Sequence, residues 1–278
     1  MQTLPGRPMS IITISRGSAS GGRLLAEGIA KRLGFHIVSR EEIVGIAARF
    51  GVPETKLDKA FLDPPKYSEE FKQDRRRYLI FIQNALCEWA QKDNIIYHGN
   101  AGHLLLRGIS HVLRIRLIAP LAFRVQRIVE ETNMSTEQAT THIEKIDAQR
   151  RAWNLLLYGV DWLNPALYDL TINLENMTLE AAVEIVVAAV RQPEFAVSSE
   201  SRKKMDDLAL VARAKAVLAS DSETASAEVE LEADSESGIA NITSVIRPPE
   251  ITRLVIERLQ GVPGVTDVRY APRQTDAE

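Results

Sequence analysis

The residues best suited to chemistry in this chain stand close to its start. Gly17-Ser18-Ala19-Ser20-Gly21-Gly22-Arg23 is a run of small side chains closed by a cation. Small residues let a backbone wrap closely around an anion, and glycine supplies the positive φ that such a wrap needs. The spacing from Gly17 to Gly22 fits the G-x-x-x-x-G of a phosphate loop, whose N–H groups and following helix N-terminus face phosphate oxygens. Two positions depart from the usual continuation, because Arg23 stands for the lysine and Leu24 for the serine or threonine. Arg23 keeps the charge and can fork across two oxygens. Leu24 cannot ligate magnesium, which leaves waters, Ser20 or a residue from elsewhere. An ordinary glycine-rich turn is the rival reading of the run.

Other reactive residue types carry less. Arg150-Arg151 and Arg75-Arg76-Arg77 lie on polar helical patterns, where such runs usually form solvated faces. His98, His103 and His111 are five and eight residues apart, a spacing that suits no common zinc arrangement. Cys87 is the single cysteine, so no internal disulfide can form; it falls on an amphipathic helix and is expected to be buried and inert. Trp153, Trp162 and Tyr168 are expected to be packing groups.

The surrounding pattern says what must position the loop. Ile11-Ile12-Thr13-Ile14-Ser15 is short and β-branched, a buried strand, and residues 23–33 carry Leu25, Ile29 and Leu33 on one helical face before Gly34. Strand, loop and helix in that order favour phosphate over an empty turn. Further strands are expected at 35–39, 95–98, 113–118 and 170–174. Helices are expected at 40–50, 69–92, from Ala119-Pro120, from the capping box Ser135-Thr136-Glu137-Gln138 through Trp153, and at 178–191. Asp63-Pro64-Pro65 marks residues 53–68 as an excursion. Such alternation predicts a parallel sheet with helices on both faces, binding ligands beyond the carboxyl ends of its strands.

Composition restricts the function classes. With 278 residues, 45% hydrophobic and 26% charged, the chain can bury a core without staples and is long enough for two domains. A net charge of −3 gives no general pull toward nucleic acid or an anionic membrane. No stretch approaches the apolar length of a membrane span, and residues 1–10 lack the apolar core of a signal peptide. A cytoplasmic protein is the expectation.

Several segments, in order, resemble the cytidylate kinase-like family of nucleoside monophosphate kinases. They are ITISRGSASGGRLLAEGIAKRL (12–33), VSREEI (38–43), IIYHGNAGHLLL (95–106), IAPLAFRVQRI (118–128), KIDAQRRAWNLLLYG (145–159) and DWLNPALYDLTINLENMTLEAAV (161–183). The likeness covers about residues 10–192 and is most specific from 145 to 183. It implies a P-loop NTPase-type fold that uses ATP and Mg2+, with no protein ligand assigned to the metal. Gly17, Ser18, Ala19, Ser20, Gly21, Gly22 and Arg23 would hold the donor phosphates, and Arg127 would lie by the donor nucleotide. Arg150 and Arg151 would close over the transferring group, with Asp147 orienting them or a metal-bound water. Arg40 would face the acceptor phosphate, with His98 or His103 near that pocket. Where the family has Gly-Arg after the third strand this chain has Gly99-Asn100, so an acceptor-side arginine is replaced by Asn100.

Beyond Gln192-Pro193 the character changes. A polar linker leads into a helix ending near Ala219. Asp221, Glu223, Glu228, Glu230, Glu232, Asp234 and Glu236 then follow with no Lys or Arg among them. Strands are expected around 228–232, 239–246 and 265–270, with a helix at 248–260, giving an α-β-β-α-β unit. That order, with the segment 256–265 and its Gly-Val-Pro-Gly-Val, resembles a BON domain, a binding module. The expected organisation is a P-loop domain at 1–195, a linker at 196–202, a BON-like domain at 203–272 and a tail at 273–278. The leading functional expectation is an ATP-dependent nucleoside monophosphate kinase, with CMP or dCMP favoured by the resemblance alone. Two others stay open: a nucleotide sensor without turnover that signals through the C-terminal unit, and a kinase for another small acceptor. The partners expected are nucleotides, and an oligomer or a protein or ligand contact through the C-terminal domain.

Overall fold

The computed structural model describes residues 10–51, 53, 69–99 and 101–272. The 53–68 excursion, apart from Pro53, and Asn100 therefore lie outside the described residues. Chain contacts divide the described residues into two units. Of the described residues, the first holds 10–42, 92–99 and 101–198, and the second holds 43–51, 53, 69–91 and 199–272.

The first unit is built on a five-stranded parallel sheet in the order β2-β3-β1-β4-β5. Its strands are β1 Ile11–Arg16, β2 His36–Val38, β3 Ile95–Tyr97, β4 Val112–Ile118 and β5 Leu170–Asn173. β1 is central and runs parallel to both neighbours, Ile11 facing Ile95 on one side and Val112 on the other. All five strands were expected from their β-branched runs. The two-residue period of a strand divides β1 by face. Ile12 and Ile14 join Leu113, Ile115, Leu117 and Ile172 in one apolar core. That core is closed by α1 (Gly22–Leu33), through Leu25, Ile29 and Leu33, and by a C-terminal helix through Val183, Val186 and Val190. Thr13 and Ser15 point to the other face and are also buried. Polar groups collect there: Tyr168 donates its hydroxyl to Ser15 Oγ at 3.2 Å and its ring packs 4.7 Å from that of His103.

The remaining helices of this unit are α2 (Arg40–Ala48, which passes into the second unit), α4 (Gly102–Leu105), α5 (Leu121–Glu131), α6 (Thr136–Tyr158) and α7 (Leu179–Val190), with α3 (Glu69–Ala90) in the second unit. The predicted capping box is present in full, Gln138 N–H donating to Ser135 Oγ at 3.2 Å and Ser135 N–H to Gln138 Oε1 at 2.9 Å. α6 runs past the expected Trp153 to Tyr158 and ends at Gly159 with φ of 64°. The four-residue α4 carries no periodic signal and was not anticipated.

The second unit contains α8 (Ser199–Ser220), β6 (Leu231–Asp234), β7 (Ile239–Ile242), α9 (Pro249–Gln260) and β8 (Asp267–Tyr270). β7 is central, antiparallel to β6 and parallel to β8. The α-β-β-α-β order matches the sequence pattern, although β6 begins three residues beyond the expected Glu228. α8 starts at Ser199, within the polar stretch read as a linker. Leu210, Ala214 and Leu218 of α8 and Val255 and Leu259 of α9 cover Leu231 and Ile242 of the sheet. Cys87 is buried, as expected, and burial pushes its thiol up to about 12. No helix of the described residues is long and apolar enough to cross a membrane.

Ile29 locks α1, and with it the loop, onto the sheet, and it is fully buried. Ile29→Ala is expected to cost about 2–5 kcal/mol, read as a lower urea midpoint. Leu155→Ala, at a side chain 47% exposed, should stay within about 0.5 kcal/mol of the parent.

Candidate functional site

β1 delivers the chain to the loop at its carboxyl end, and the loop turns at once into α1. Ala19 and Gly21 adopt left-handed φ of 56° and 87°, which gathers successive N–H groups on one side of the backbone. Ser20 N–H donates to Gly17 C=O at 3.4 Å and Leu25 N–H to Gly21 C=O at 3.0 Å, so the loop closes on itself before the helix ladder begins. At Gly21 a side-chain carbon would stand 3.3 Å from Arg127 Nη1, which places that guanidinium against the loop. Arg127 also pairs with Glu131 at 3.1 Å.

A carboxylate already rests in this loop. Ser18 N–H donates to Asp147 Oδ1 at 2.9 Å, across 129 residues of sequence. Arg124 clamps the same place, donating from Nε to Ser18 C=O at 2.7 Å and from Nη2 to Asp147 Oδ2. Arg150, one turn further along α6, donates to Arg16 C=O at 3.2 Å. Burial first, then the like charge of Arg16, lowers its pKa to about 10. The pKa of Arg16 itself is lowered by burial, against the opposing pull of Tyr97 and Asp147. Arg124 thus pairs with the carboxylate, while Arg16 and Arg150 feel its charge from beyond ion-pairing distance.

Beside this cluster opens a cleft of about 360 Å³ lined by Gly17, Ser20, Arg116, Arg124, Asp147, Arg151 and Trp162, among others. Its floor is the polar face of the sheet. Arg116 donates to Trp162 C=O at 2.8 Å and lies over the indole ring at 5.4 Å.

The sequence-predicted residues therefore divide. The loop residues Gly17 to Gly22, together with Arg127, Asp147 and Arg150, are brought together. Arg151 lines the cleft, but its guanidinium is tied to Asp161 at 2.6 Å. Arg23 is turned outward, 75% exposed, 3.6 Å from Glu27 one turn along α1. Arg40 is exposed at the first turn of α2. His98 is partly buried at the end of β3, its pKa lowered by burial and then by Arg16. Asn100 is outside the described residues. Trp153, Trp162 and Tyr168 are buried, as packing groups should be. Arg76 is exposed and hydrogen-bonds Glu228 at 2.6 Å, in keeping with a solvated face.

Arg16, Arg124 and Arg116 were missed. Arg124 had a usable signal, because it stands three residues before Arg127 and so shares its helical face.

For the metal, Ser20 Oγ is buried without a hydrogen-bond partner among the described residues. Ser20 and Asp147 both line the cleft, and oxygen donors of this hard kind fit a magnesium ion.

The model of the "Cytidylate kinase-like family" matches residues 11–176. The chain is 28% identical over 181 residues to a cytidylate kinase of Thermococcus kodakarensis, covering 65% of this chain and 87% of that one. It is 28% identical over 180 residues to a cytidylate kinase of Sulfolobus acidocaldarius, covering 64% and 93%. Among solved structures, an uncharacterized protein from Eubacterium ventriosum superposes with a TM-score of 0.54 at 17% identity, over 66% of this chain and 98% of that one, a likeness of fold.

Two outcomes are expected. Asp147→Ala removes the resident anion, so inorganic phosphate should bind about fivefold more tightly in metal-free buffer, the weight of a modest ion pair; calorimetry showing weaker binding would mean that the carboxylate does not compete. His103 is 3% exposed, and neither ring nitrogen finds a partner among the described residues. Burial, then Arg114 and Arg116, lowers its pKa from 6.5 to about 4. The unfolded chain takes up this proton first, so the contribution of His103 is complete above pH 6.5 and is lost as pH falls toward 4. His103→Phe should flatten the urea midpoint across that window.

Proposed function

The chain belongs to the cytidylate kinase-like family, and we propose that it transfers the γ-phosphoryl group of ATP to a nucleoside monophosphate, with CMP or dCMP as the favoured acceptor. The observation that carries this reading is the loop at the α1 N-terminus, with Asp147 seated at Ser18 N–H, Arg124 paired to it, and Arg150 bonded to Arg16 C=O beside it. Such a surplus of guanidinium groups suits a reaction whose charge spreads over the equatorial oxygens of the group in flight. CMP and dCMP rest on the family likeness and on the cytidylate kinases that the chain is similar to.

In this mechanism an oxygen of the acceptor phosphate attacks the γ-phosphorus while the bond to the β,γ-bridging oxygen breaks, giving ADP and the nucleoside diphosphate. The loop N–H groups of residues 17–22 hold the donor phosphates, and Arg127 lies by the donor nucleotide. Triphosphate entering the loop replaces the Asp147 carboxylate at Ser18 N–H, which frees Arg124 to turn to phosphate. Arg150 follows the transferring group from α6, and Arg151 closes the cleft above it. Arg40, His98 and Asn100 serve the acceptor side. Ser20 and the displaced Asp147 would hold magnesium, which neutralises phosphate charge when bound. Positioning and charge compensation supply the rate, since phosphoryl transfer asks for little covalent help.

A second reading, a nucleotide sensor without turnover, is favoured by the outward Arg23 and by the tie of Arg151 to Asp161. A different small acceptor is favoured by Asn100 in place of arginine. The C-terminal unit is read as BON-like, a binding module, from its α-β-β-α-β order and the segment 256–265.

ADP release from ATP with magnesium, screened over CMP, dCMP, UMP, AMP and GMP, is the test. Acceptor-dependent release is expected, reduced roughly 100- to 1,000-fold by Arg150→Ala. Saturable ATP binding without acceptor-dependent release for any of them would sink the monophosphate kinase reading in favour of the sensor.

A further inference from the structure

The residue that ends β1 has no part in the loop motif, yet its side chain returns across the loop. Arg16 runs directly over Gly22, the first residue of α1: a Cβ built at Gly22 would stand 2.0 Å from Arg16 Cδ and 2.7 Å from Arg16 Nε. Those separations lie far inside van der Waals contact, so glycine at 22 is what lets the arginine pass. The passage leads to the helix N-terminus, where the N–H groups and the macrodipole already favour an anion. Among the described residues no carboxylate reaches the Arg16 guanidinium within ion-pairing distance. Its carbonyl receives the Arg150 guanidinium at 3.2 Å, which brings a second cation alongside it. Arg23, the cation that the motif would nominate, is directed to solvent and to Glu27.

We propose that Arg16 is the phosphate-gripping cation of this loop, reaching the β- and γ-phosphates of a nucleoside triphosphate across Gly22, in place of the residue that follows the glycines. This rests on the phosphotransferase reading for the identity of the ligand, but its chemistry asks only for a polyphosphate. A cation arriving from the strand rather than from the helix needs a residue without a side chain where it crosses. Gly22 is that residue, and it marks the route.

The crossing makes a test that charge removal alone does not offer. Binding of ATP and of inorganic tripolyphosphate would be measured by calorimetry for the full chain and for Arg16→Gln, Arg16→Lys, Gly22→Ala and the double variant Arg16→Gln/Gly22→Ala. Thermal midpoints would be recorded for each. Arg16→Gln is expected to weaken both ligands roughly 10- to 100-fold, the weight of a lost charged hydrogen bond, with no fall in the thermal midpoint. Arg16→Lys should recover part of the affinity. Gly22→Ala should reproduce most of the loss with every charge present, and should add little in the Arg16→Gln background.

Unchanged affinity in Arg16→Gln, or a fall in thermal midpoint without a fall in affinity, overturns the assignment and makes Arg16 a packing group. Full additivity in the double variant also overturns it, because the alanine would then be obstructing the ligand and not the arginine. Arg23→Gln weakening binding more than Arg16→Gln overturns it as well. Tight, Arg16-dependent binding of tripolyphosphate in a protein that transfers nothing to any monophosphate upholds the assignment while the kinase reading falls. Transfer that proceeds equally in Arg16→Gln does the reverse.

Discussion

Crowding of like charge at the exit of β1 is the constraint that the rest of the first unit answers. Arg150 lies against Arg16 and Arg124 holds Asp147, next to a helix N-terminus that is itself electropositive. Two unit charges about 4 Å apart repel by about 4 kcal/mol at an effective dielectric of 20, so the arrangement needs a scaffold that cannot relax away from it. The central strand supplies one, hydrogen-bonded on both sides and buried under α1 and α7. Asp147 moderates the repulsion by sitting at Ser18 N–H, where an anion gains from the loop and the cations together. An incoming polyphosphate offers the same gain with more charge.

The helix bearing Asp147 and Arg150 is placed by several modest devices. Its capping box fixes where the first turn begins, which sets the rotational phase of every residue after it. Ala139 and Ile143 pack with Val125 of α5, holding the two helices that bear Arg124 and Asp147 together. From that phase, residues 147, 150 and 154 share one face at helical spacings of three and four. Asn154 accordingly turns inward and donates to Arg150 C=O at 2.8 Å. Arg151 lies about 100° further round the helix, at 3.6 residues per turn. The adjacent arginines therefore part company, Arg150 to the loop and Arg151 to Asp161.

Much of the fold was legible because its signals are local. Five β-branched runs became five strands, and the capping box of α6 followed from residue types a few positions apart, although its end at Gly159 lay beyond the expected Trp153. The phosphate loop was legible for the same reason. What escaped depends on direction rather than position. Arg16 drew no notice, since nothing adjacent to it says that its side chain doubles back over Gly22. Arg23 drew the role because it follows the glycines, but the second residue of α1 points outward once Leu25 and Ile29 have claimed the inner face. Gly22 is where the Arg16 side chain crosses, and its residue type alone does not name the group that approaches it. β6 slid three residues from its expected start because alternation of Glu with Val and Leu fits either register until a partner strand fixes it.

The second unit shows the same dependence of reading on partners. α8 carries two apolar stripes, which a single small sheet cannot use. Leu210, Ala214 and Leu218 meet that sheet, whereas Ala216 and Ala219 join Phe81 of α3 and Val44 and Ala47 of α2 in a separate cluster. Phe50 stacks on Phe81 with ring centroids 5.0 Å apart, closing that cluster from the α2 side. Alanines on this second stripe let α8 and α3 approach closely enough for Gln91, just past α3, to reach Asp206 at 2.8 Å and for Arg202 to reach Gln91 C=O at 3.1 Å. A helix with apolar stripes on two faces is a helix buried on more than one side. The C-terminal residues and the helix between β2 and β3 therefore share one core, and removing either would leave the apolar surface of the other in water.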